Sequence, residues 1–241
     1  MILLHPSSIG KIMTDAVKID PELLTPDLAE ISRKTKKTDE DKAILAPLWE
    51  KTLSVGAKTY LKSLAKQSVY DVRFEVDTKY MRKGLACEQQ AIDMLNALLF
   101  KRYVKNTLRL ETDVLTGEAD ILPPGENYGR DIKVSWSLET FPCVKEDAHD
   151  QLYEWQMRGY MHLYDRDEWH VDYLMLDTPE ELCRYEPPEI HQVSHIPPTL
   201  RHTSFTYKRD LELERKMLIK CRRAQEYIEH IKTQIILEHE E

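Results

Sequence analysis

The spacing of apolar residues changes near residue 108, and this change separates two kinds of predicted structure. Before about residue 105, apolar residues recur every three or four positions, which is typical of helices, and prolines interrupt the pattern. We predict helices over residues 52–68 and 80–100 in this region. Residues 34–42 are rich in charge, and they are expected to form a linker or an exposed helical turn.

From residue 108 onward, apolar and polar residues alternate with the period of two that β-strands produce. We predict strands over 108–111, 114–122, 130–135, 169–176 and 202–207, helices over 147–164 and 210–237, and a loop over 180–198. This order indicates an α/β fold in which helices flank a small mixed sheet. We expect one compact domain with a helical N-terminal region (1–79), a core (80–208) and a long C-terminal helix (209–241).

Composition narrows the class of protein. The chain has 241 residues, 41% hydrophobic and 32% charged, as expected for a globular protein that needs no disulfides to hold its core. The cysteines are far apart, which argues against a zinc site or a secreted disulfide framework and favours the reducing cytoplasm. They are Cys87, Cys143, Cys183 and Cys221. We expect no signal peptide and no membrane span.

The net charge of −8 argues at first against a nucleic-acid partner, because phosphate binding favours basic surfaces. However, an enzyme that holds metals on carboxylates can be acidic overall and still have a local basic groove. Candidate basic residues near the predicted site are Arg82, Lys83, Lys101, Arg102, Lys105 and Arg109. Composition therefore leaves DNA open as a partner.

An acid-x-Lys motif lies in the predicted strand 130–135. Alternate side chains of a strand share a face, so Asp131 and Lys133 project together while Ile132 and Val134 point into the core. The same spacing occurs elsewhere in the chain. Only this copy combines a strand, an apolar middle residue and an upstream strand that carries an aspartate, Asp120.

Two further carboxylates have alternative interpretations. Asp120 could begin the turn that follows it, but Ile121 continues the strand, which favours a ligand, and Glu118 shares the strand face of Asp120. Glu88 falls on the apolar stripe of the predicted helix 80–100, with Leu85, Ile92, Leu95 and Leu99. It could lie at the edge of the stripe beside a cation such as Arg82 or Lys83, or it could bind a metal.

Residues on two predicted helices each have two or more possible roles. Gln156 and Tyr160 share a face with Leu152 and Leu163, so they could be a buried aromatic with a bonded amide, or could contact DNA or orient Lys133. The C-terminal helix has an apolar stripe that could pack on its own sheet or form an oligomer contact. The stripe contains Met217, Cys221, Ala224, Ile228 and Ile231.

The ordered set of Glu88, Asp120, Asp131-Ile132-Lys133 and Gln156-xxx-Tyr160 resembles the PD-(D/E)xK nuclease superfamily. It is most similar to the RecB-like and phage-exonuclease branch, which includes lambda exonuclease and the YqaJ-type recombinases. The order of helix, hairpin, acid-x-Lys strand and helix agrees over residues 80–178. The segments 131–142 and 6–10 are also similar to phage members. The resemblance implies a restriction-endonuclease-like core.

The resemblance also implies roles for individual residues. Glu88, Asp120, Asp131 and the Ile132 carbonyl would bind Mg²⁺ or Mn²⁺, because hard oxygen ligands select hard cations, and Lys133 would be the catalytic lysine. The expected supporting and DNA-binding residues are Gln156, Tyr160, Arg82, Lys83 and Ser135. The chain has Asp131 where Glu is commoner, and its scattered cysteines do not fit the branch that carries an iron–sulfur cluster.

The activity that these features predict is a Mg²⁺-dependent DNA exonuclease of phage recombination or DNA end processing. Two carboxylates on a divalent metal with an ammonium group beside the phosphate are suited to phosphodiester hydrolysis. We expect double-stranded DNA with free ends as a partner, in the cytoplasm of a bacterium or phage-infected cell. The resemblance implies two further partners: a single-strand annealing protein, and further copies of this chain in a ring trimer. The alternatives are an endonuclease with the same site and a catalytically silent module that binds DNA or protein.

Overall fold

The structure is a computed structural model that describes residues 1–74 and 77–239. The chain divides into two compact units. The first contains Met1–Phe74, Glu111–Leu115 and Asp210–Glu241, and the second contains Glu75–Leu110 and Thr116–Arg209. Every candidate site residue lies in the second unit. The boundaries predicted after residues 79 and 208 stay predictions.

The order of elements follows the predicted α/β pattern. The described helices are α1 (Pro6–Ile12), α2 (Pro26–Arg33), α3 (Asp39–Lys51), α4 (Val55–Val69), α5 (Lys79–Leu99), α6 (Gln151–Tyr164), α7 (Glu180–Cys183) and α8 (Leu211–Leu237). The described strands are β1 (Arg109–Glu111), β2 (Thr116–Glu118), β3 (Tyr128–Val134), β4 (Glu168–Leu174) and β5 (His202–Lys208). Short 3₁₀ turns lie at Pro21–Leu23, Lys145–Ala148, Pro188–Ile190 and Pro198–Leu200.

Most differences from the predicted elements have a local cause. The charged stretch 34–42 is divided by a capping box, in which Thr38 and Asp41 bond each other's backbone and start α3. Helix α6 begins later than predicted because the Asp150 side chain caps it by accepting from the Tyr153 N–H. The predicted loop 180–198 contains the short helix α7. No described helix is long and apolar enough to cross a membrane.

The first unit is a group of helices around the buried face of α8. Met217, Cys221, Ala224 and Ile228 are fully buried, and α8 packs chiefly against α4 and also against α1 and α3. The prediction that this stripe packs on a sheet is therefore wrong, because the stripe packs against helices. Because these residues are already buried within the chain, an oligomer contact through this stripe is also wrong, and an oligomer formed through another surface stays a prediction.

The second unit contains the predicted mixed sheet, whose strand order is β3-β4-β5. Strands β3 and β4 are parallel, and β4 and β5 are antiparallel. Helix α6 makes the crossover that a parallel pair requires, and it packs on the sheet, as α5 does on β3. The strands β1 and β2 form a separate two-stranded sheet.

Strand β3 positions the candidate site because its two faces differ. Ile132 and Val134 pack against the buried residues of α5, which include Ala91 and Leu95, as the alternation predicted. Asp131 and Lys133 therefore project from the other face, toward α6.

The close approach of Gly129 and Trp169 places α6 on that face. A Cβ on Gly129 would lie only 2.4 Å from the indole ring of the fully buried Trp169, its register partner on β4. The same indole stacks on the ring of Tyr160 of α6, with centroids 5.2 Å apart and planes at 20°. The absence of a side chain at position 129 thus allows the sheet to seat the helix that carries Gln156 and Tyr160.

Candidate active site

Asp131, Lys133 and Gln156 form a closed set of contacts between β3 and α6. Oδ2 of Asp131 lies 2.7 Å from Nζ of Lys133. The amide of Gln156 bonds both partners: its Nε2 donates to Asp131 Oδ1 at 3.2 Å, and its Oε1 accepts from Lys133 Nζ at 3.4 Å. Gln156 therefore orients the carboxylate and the ammonium group together.

Asp120 is held against β3 by backbone pairing. Ile121 and Arg130 exchange both of their backbone hydrogen bonds, at 3.1 and 3.0 Å, which lays the segment after β2 alongside β3. Asp120 Oδ2 accepts from the Ile132 N–H at 2.8 Å, so its carboxylate lies beside the Asp131-Ile132-Lys133 segment. The Ile132 backbone is thus part of the site, and its carbonyl as a metal ligand stays a prediction.

Lys105 connects Glu88 to Asp120 of the site. Lys105 Nζ donates to Asp120 Oδ1 at 2.8 Å and also bonds Glu88 Oε1 of α5. The predicted stripe on α5 was wrong at Leu85, which is 75% exposed, because the buried face runs through Lys83, Cys87 and Ala91 instead. Glu88 consequently lies at the edge of that face and pairs with a cation other than Arg82 or Lys83.

Burial determines the protonation behaviour of the central pair. Loss of water raises the pKa of Asp131, which is 2% exposed, although the Lys133 ammonium group acts against this rise. Burial also acts to lower the pKa of Lys133, but the negative charge of the adjacent Asp131 outweighs it, and the pKa of Lys133 is raised. Lys133 is therefore a cation at neutral pH.

The carboxylates of the site are suited to a hard divalent metal. Asp131 Oδ2 is buried and, within the described residues, accepts no hydrogen bond, so its contact with Lys133 is an ion pair without hydrogen-bond geometry. Asp120 adds oxygen donors of the same kind. Among residues 1–74 and 77–239, no three His, Cys, Asp or Glu side chains already form a metal-ligand cluster. Lys105 lies between the carboxylates of Glu88 and Asp120.

Tyr160 is buried beside the site and packs on the sheet. Its side chain is 3% exposed, its hydroxyl donates to the Glu118 carbonyl at 3.2 Å, and its ring stacks on Trp169. Of the alternatives for this helix face, Tyr160 is the buried aromatic residue. Gln156 instead bonds Lys133 and can orient it. Leu152 does not share this buried face, since it is 54% exposed.

Of the three residues Arg82, Lys83 and Ser135 that were expected to contact DNA, Lys83 and Ser135 are buried. Arg82 is exposed, and its Nε donates to both carboxylate oxygens of Asp77 at 2.8 and 3.0 Å. Lys83 is fully buried, and its Nζ donates to the carbonyls of Ser135 and Trp136 at 2.7 and 2.9 Å. The expectation of DNA contact is therefore corrected for Lys83, which holds the backbone after β3, and for the buried Ser135, whereas for Arg82 it stays a prediction.

Two residues of the site were missed at the sequence level. Lys105 was counted only as one of several basic residues, and its contacts join segments 15 and 17 positions away. Tyr153 places its ring 4.5 Å from Lys133 Nζ, where the ring and the cation attract each other. The spacing of Tyr153 three residues before Gln156 was the signal that could have identified it.

The fold and this site define a nuclease fold of the PD-(D/E)xK type, with an acidic hairpin, an acid-x-Lys strand and a Gln-bearing helix in the expected order. The chain is similar to a phage-related exonuclease from Haemophilus somnus 129PT, with 27% identity, a TM-score of 0.79, and coverage of 97% of this chain and 96% of that one. The predicted resemblance to the phage-exonuclease branch, which includes lambda exonuclease and YqaJ-type proteins, is thereby confirmed.

Other comparisons agree on the fold. An alkaline exonuclease from Laribacter hongkongensis, LHK-Exo, matches 98% of this chain and 92% of its own with 11% identity and a TM-score of 0.66. Its complex with dAMP matches 97% and 93% with 14% identity and a TM-score of 0.60. No protein-family model and no curated protein sequence matches the chain.

Proposed function

We propose that this protein is a DNA exonuclease that requires a divalent metal and hydrolyses phosphodiester bonds from DNA ends. The observation that carries the proposal is the contact set of Asp131, Lys133 and Gln156 beside Asp120. The likeness to a phage-related exonuclease over nearly the whole of both chains supports it. A divalent metal in general follows from this class of nuclease, and Mg²⁺ or Mn²⁺ is the ion that we propose.

The residues of the site have distinct tasks in this mechanism. Asp120 and Asp131 would hold the metal, with Glu88 and the Ile132 carbonyl as further ligands. When bound, the cation supplies Lewis acidity and makes a coordinated water more acidic. Lys133 keeps its proton because its pKa is raised, so it stabilises negative charge on the phosphate and does not act as a base. Gln156 bonds both Lys133 and Asp131 and fixes their relative orientation.

The wider biological setting is part of the same proposal. We infer a role in phage recombination or DNA end processing, a single-strand annealing protein as partner, and a ring trimer as the assembly. The four cysteines are free, which suits the cytoplasm. An endonuclease with the same site is the second candidate, since the same residues would cut internal bonds. A silent binding module is the third candidate, and it would retain the fold without hydrolysis.

Digestion of end-labelled linear duplex DNA with Mg²⁺, beside a covalently closed circle, tests the proposal. We expect loss of the linear DNA alone, and abolition of this loss by Lys133→Ala. Lys145→Ala, which removes an exposed lysine of the same unit, serves as the matched control and should remain active. Cutting of the circle would identify an endonuclease. No degradation with Mg²⁺ or Mn²⁺ would contradict catalysis and favour the binding module.

A further inference from the structure

Lys105 holds two of the carboxylates that we propose as metal ligands. Its ammonium group bonds Glu88 Oε1 and, at 2.8 Å, Asp120 Oδ1. All three side chains are partly open to solvent, with exposed fractions of 32% for Lys105, 36% for Glu88 and 22% for Asp120. The ammonium group therefore occupies oxygen atoms that a divalent cation would need, at a place that ions in solution can reach.

The backbone on both sides of Lys105 is anchored. The Tyr103 N–H donates to Asn96 Oδ1 at 2.6 Å, and Asn96 Nδ2 donates back to the Tyr103 carbonyl at 2.8 Å. On the other side, the Asn106 N–H donates to the Asp120 carbonyl at 2.7 Å, and its side chain bonds the Ala119 carbonyl. Because the chain is fixed on each side, the long side chain of Lys105 can leave the carboxylates without movement of the segment.

Charge balance also favours an exchange. The carboxylates of Glu88, Asp120 and Asp131 face two ammonium groups, those of Lys105 and Lys133. The cluster therefore has one net negative charge while Lys105 is in place. A dication in place of the Lys105 ammonium group would neutralise it, whereas a dication and Lys105 on the same carboxylates would repel each other.

We propose that Lys105 is an internal counter-ion that competes with the divalent cation for Glu88 and Asp120. Metal binding then requires the ammonium group to leave both carboxylates, and Lys105 sets the metal affinity of the site. This inference rests on the proposed function, because it takes the same carboxylates as metal ligands. The inference assigns Lys105 two effects. Lys105 weakens metal binding, and it neutralises part of the carboxylate charge when no metal is bound.

Binding of Mn²⁺ alone to the full chain, without DNA, tests this proposal. Free Mn²⁺ can be counted by electron paramagnetic resonance at fixed pH and ionic strength. We expect Lys105→Met to lower the Kd for Mn²⁺ by about fivefold or more, as for other coupled binding events. Lys105→Arg keeps the cation and should stay close to the wild type. Lys101→Met removes the same charge from an exposed position of the same segment and should have little effect.

Thermal unfolding gives a second measurement that does not rely on counting free Mn²⁺. In chelator, Lys105→Met should unfold at a lower temperature than the wild type, because Glu88 and Asp120 lose their shared partner. Saturating Mn²⁺ should then raise the midpoint of the variant more than that of the wild type. Lys105→Gln, a neutral and polar replacement, repeats both measurements if the methionine variant does not fold.

The outcomes separate this inference from the proposed function. If the wild type binds Mn²⁺ and Lys105→Met binds it equally well or more weakly, the counter-ion role is overturned while the metal site stands. If neither the wild type nor Lys105→Met binds Mn²⁺, the metal site of the proposed function fails and competition for it fails as well. Tighter binding in both neutral variants, with Lys105→Arg near the wild type, supports the inference.

Discussion

The amide of Gln156, on α6, bonds both charged groups of the acid-x-Lys motif. Gln156→Met has a similar length and removes both hydrogen bonds, so Asp131 and Lys133 lose their common orientation. Loss of a residue that orients a ligand typically costs about 10- to 100-fold. We expect kcat to fall by this amount while KM changes less, measured on linear duplex DNA with saturating Mg²⁺.

Gln151→Met is the control for the Gln156 experiment, since it makes the same change at an exposed position of α6. It should retain kcat. Unchanged kcat in Gln156→Met, in a protein whose circular dichroism matches the wild type, would contradict the orienting role.

Lys83 gives a residue-scale prediction about pH. Burial lowers its pKa to about 8, below the ordinary value of 10.5 that it regains on unfolding. Between these two values the unfolded chain binds more protons than the folded one, so the wild type gains stability as pH rises from 8 to 10.5. Below pH 8 the full cost of the buried charge is present. Relative to Lys83→Met, the gain should reach about 3 kcal/mol at most.

Urea unfolding of the wild type and Lys83→Met at pH 7, 8, 9 and 10 measures this difference. Burial raises the pKa values of the neighbouring thiols of Cys87 and Cys183, which keeps them protonated over much of this range. Lys101→Met should instead follow the wild type at every pH, because that lysine is exposed. A difference between the wild type and Lys83→Met that does not change with pH would show that Lys83 titrates normally.

At the scale of elements, the fit of Gly129 against Trp169 determines whether β3 and β4 can lie at their observed distance. In Gly129→Ala the new Cβ would approach the indole to 2.4 Å, and Trp169 cannot withdraw because it is fully buried and stacked on Tyr160. Overpacking of this kind costs about 1–3 kcal/mol. We expect the free energy of unfolding to fall by that amount, measured by urea unfolding.

Gly84→Ala is the matched control for this prediction. A Cβ at Gly84 of α5 meets no atom within 4 Å, and alanine favours a helix over glycine by up to about 1 kcal/mol. This variant should be as stable as the wild type or more stable. If Gly129→Ala were as stable as the wild type, β3 and β4 could move apart enough to accommodate the new Cβ without a loss of unfolding free energy, which would contradict the prediction.

Elements with a strong period were predictable because local sequence determines which face is buried. The alternation in β3 placed Asp131 and Lys133 on one face, and in the structure Ile132 and Val134 pack against the core from the other face. Helix α5 was harder, since it has apolar residues on more than one side. Leu85 was placed in the stripe although it is exposed, and the buried Lys83 was taken for a surface cation because lysine rarely lies in a core.

Contacts between distant segments could not be predicted from one sequence. The pairing of Lys105 with Glu88 and Asp120 depends on how α5 and the strands pack, which no spacing along the chain reports. The partner of the α8 stripe had the same difficulty, because periodicity identifies a buried face but not what covers it. The ordered motifs were nevertheless enough to predict the nuclease fold that the comparisons confirm.

At the scale of the whole molecule, we expect DNA binding to depend on the metal, because the net charge is −8. Carboxylates without a bound cation repel phosphate. Asp120→Asn removes one of these charges while its side-chain oxygen can still accept from the Ile132 N–H. Without metal, we therefore expect Asp120→Asn to bind duplex DNA about threefold more tightly than the wild type.

With Ca²⁺ the order should reverse, because the wild type holds the cation that offsets phosphate charge and the variant has lost a ligand. Fluorescence anisotropy of a labelled duplex, in chelator and in Ca²⁺ at one ionic strength, measures both cases, with Lys133→Met in the background to prevent cleavage. Asp93→Asn makes the same charge change at an exposed position of α5 and should not reverse the order between the two conditions. If Asp120→Asn changed binding equally in chelator and in Ca²⁺, Asp120 would contribute charge alone, and its assignment as a metal ligand would be wrong.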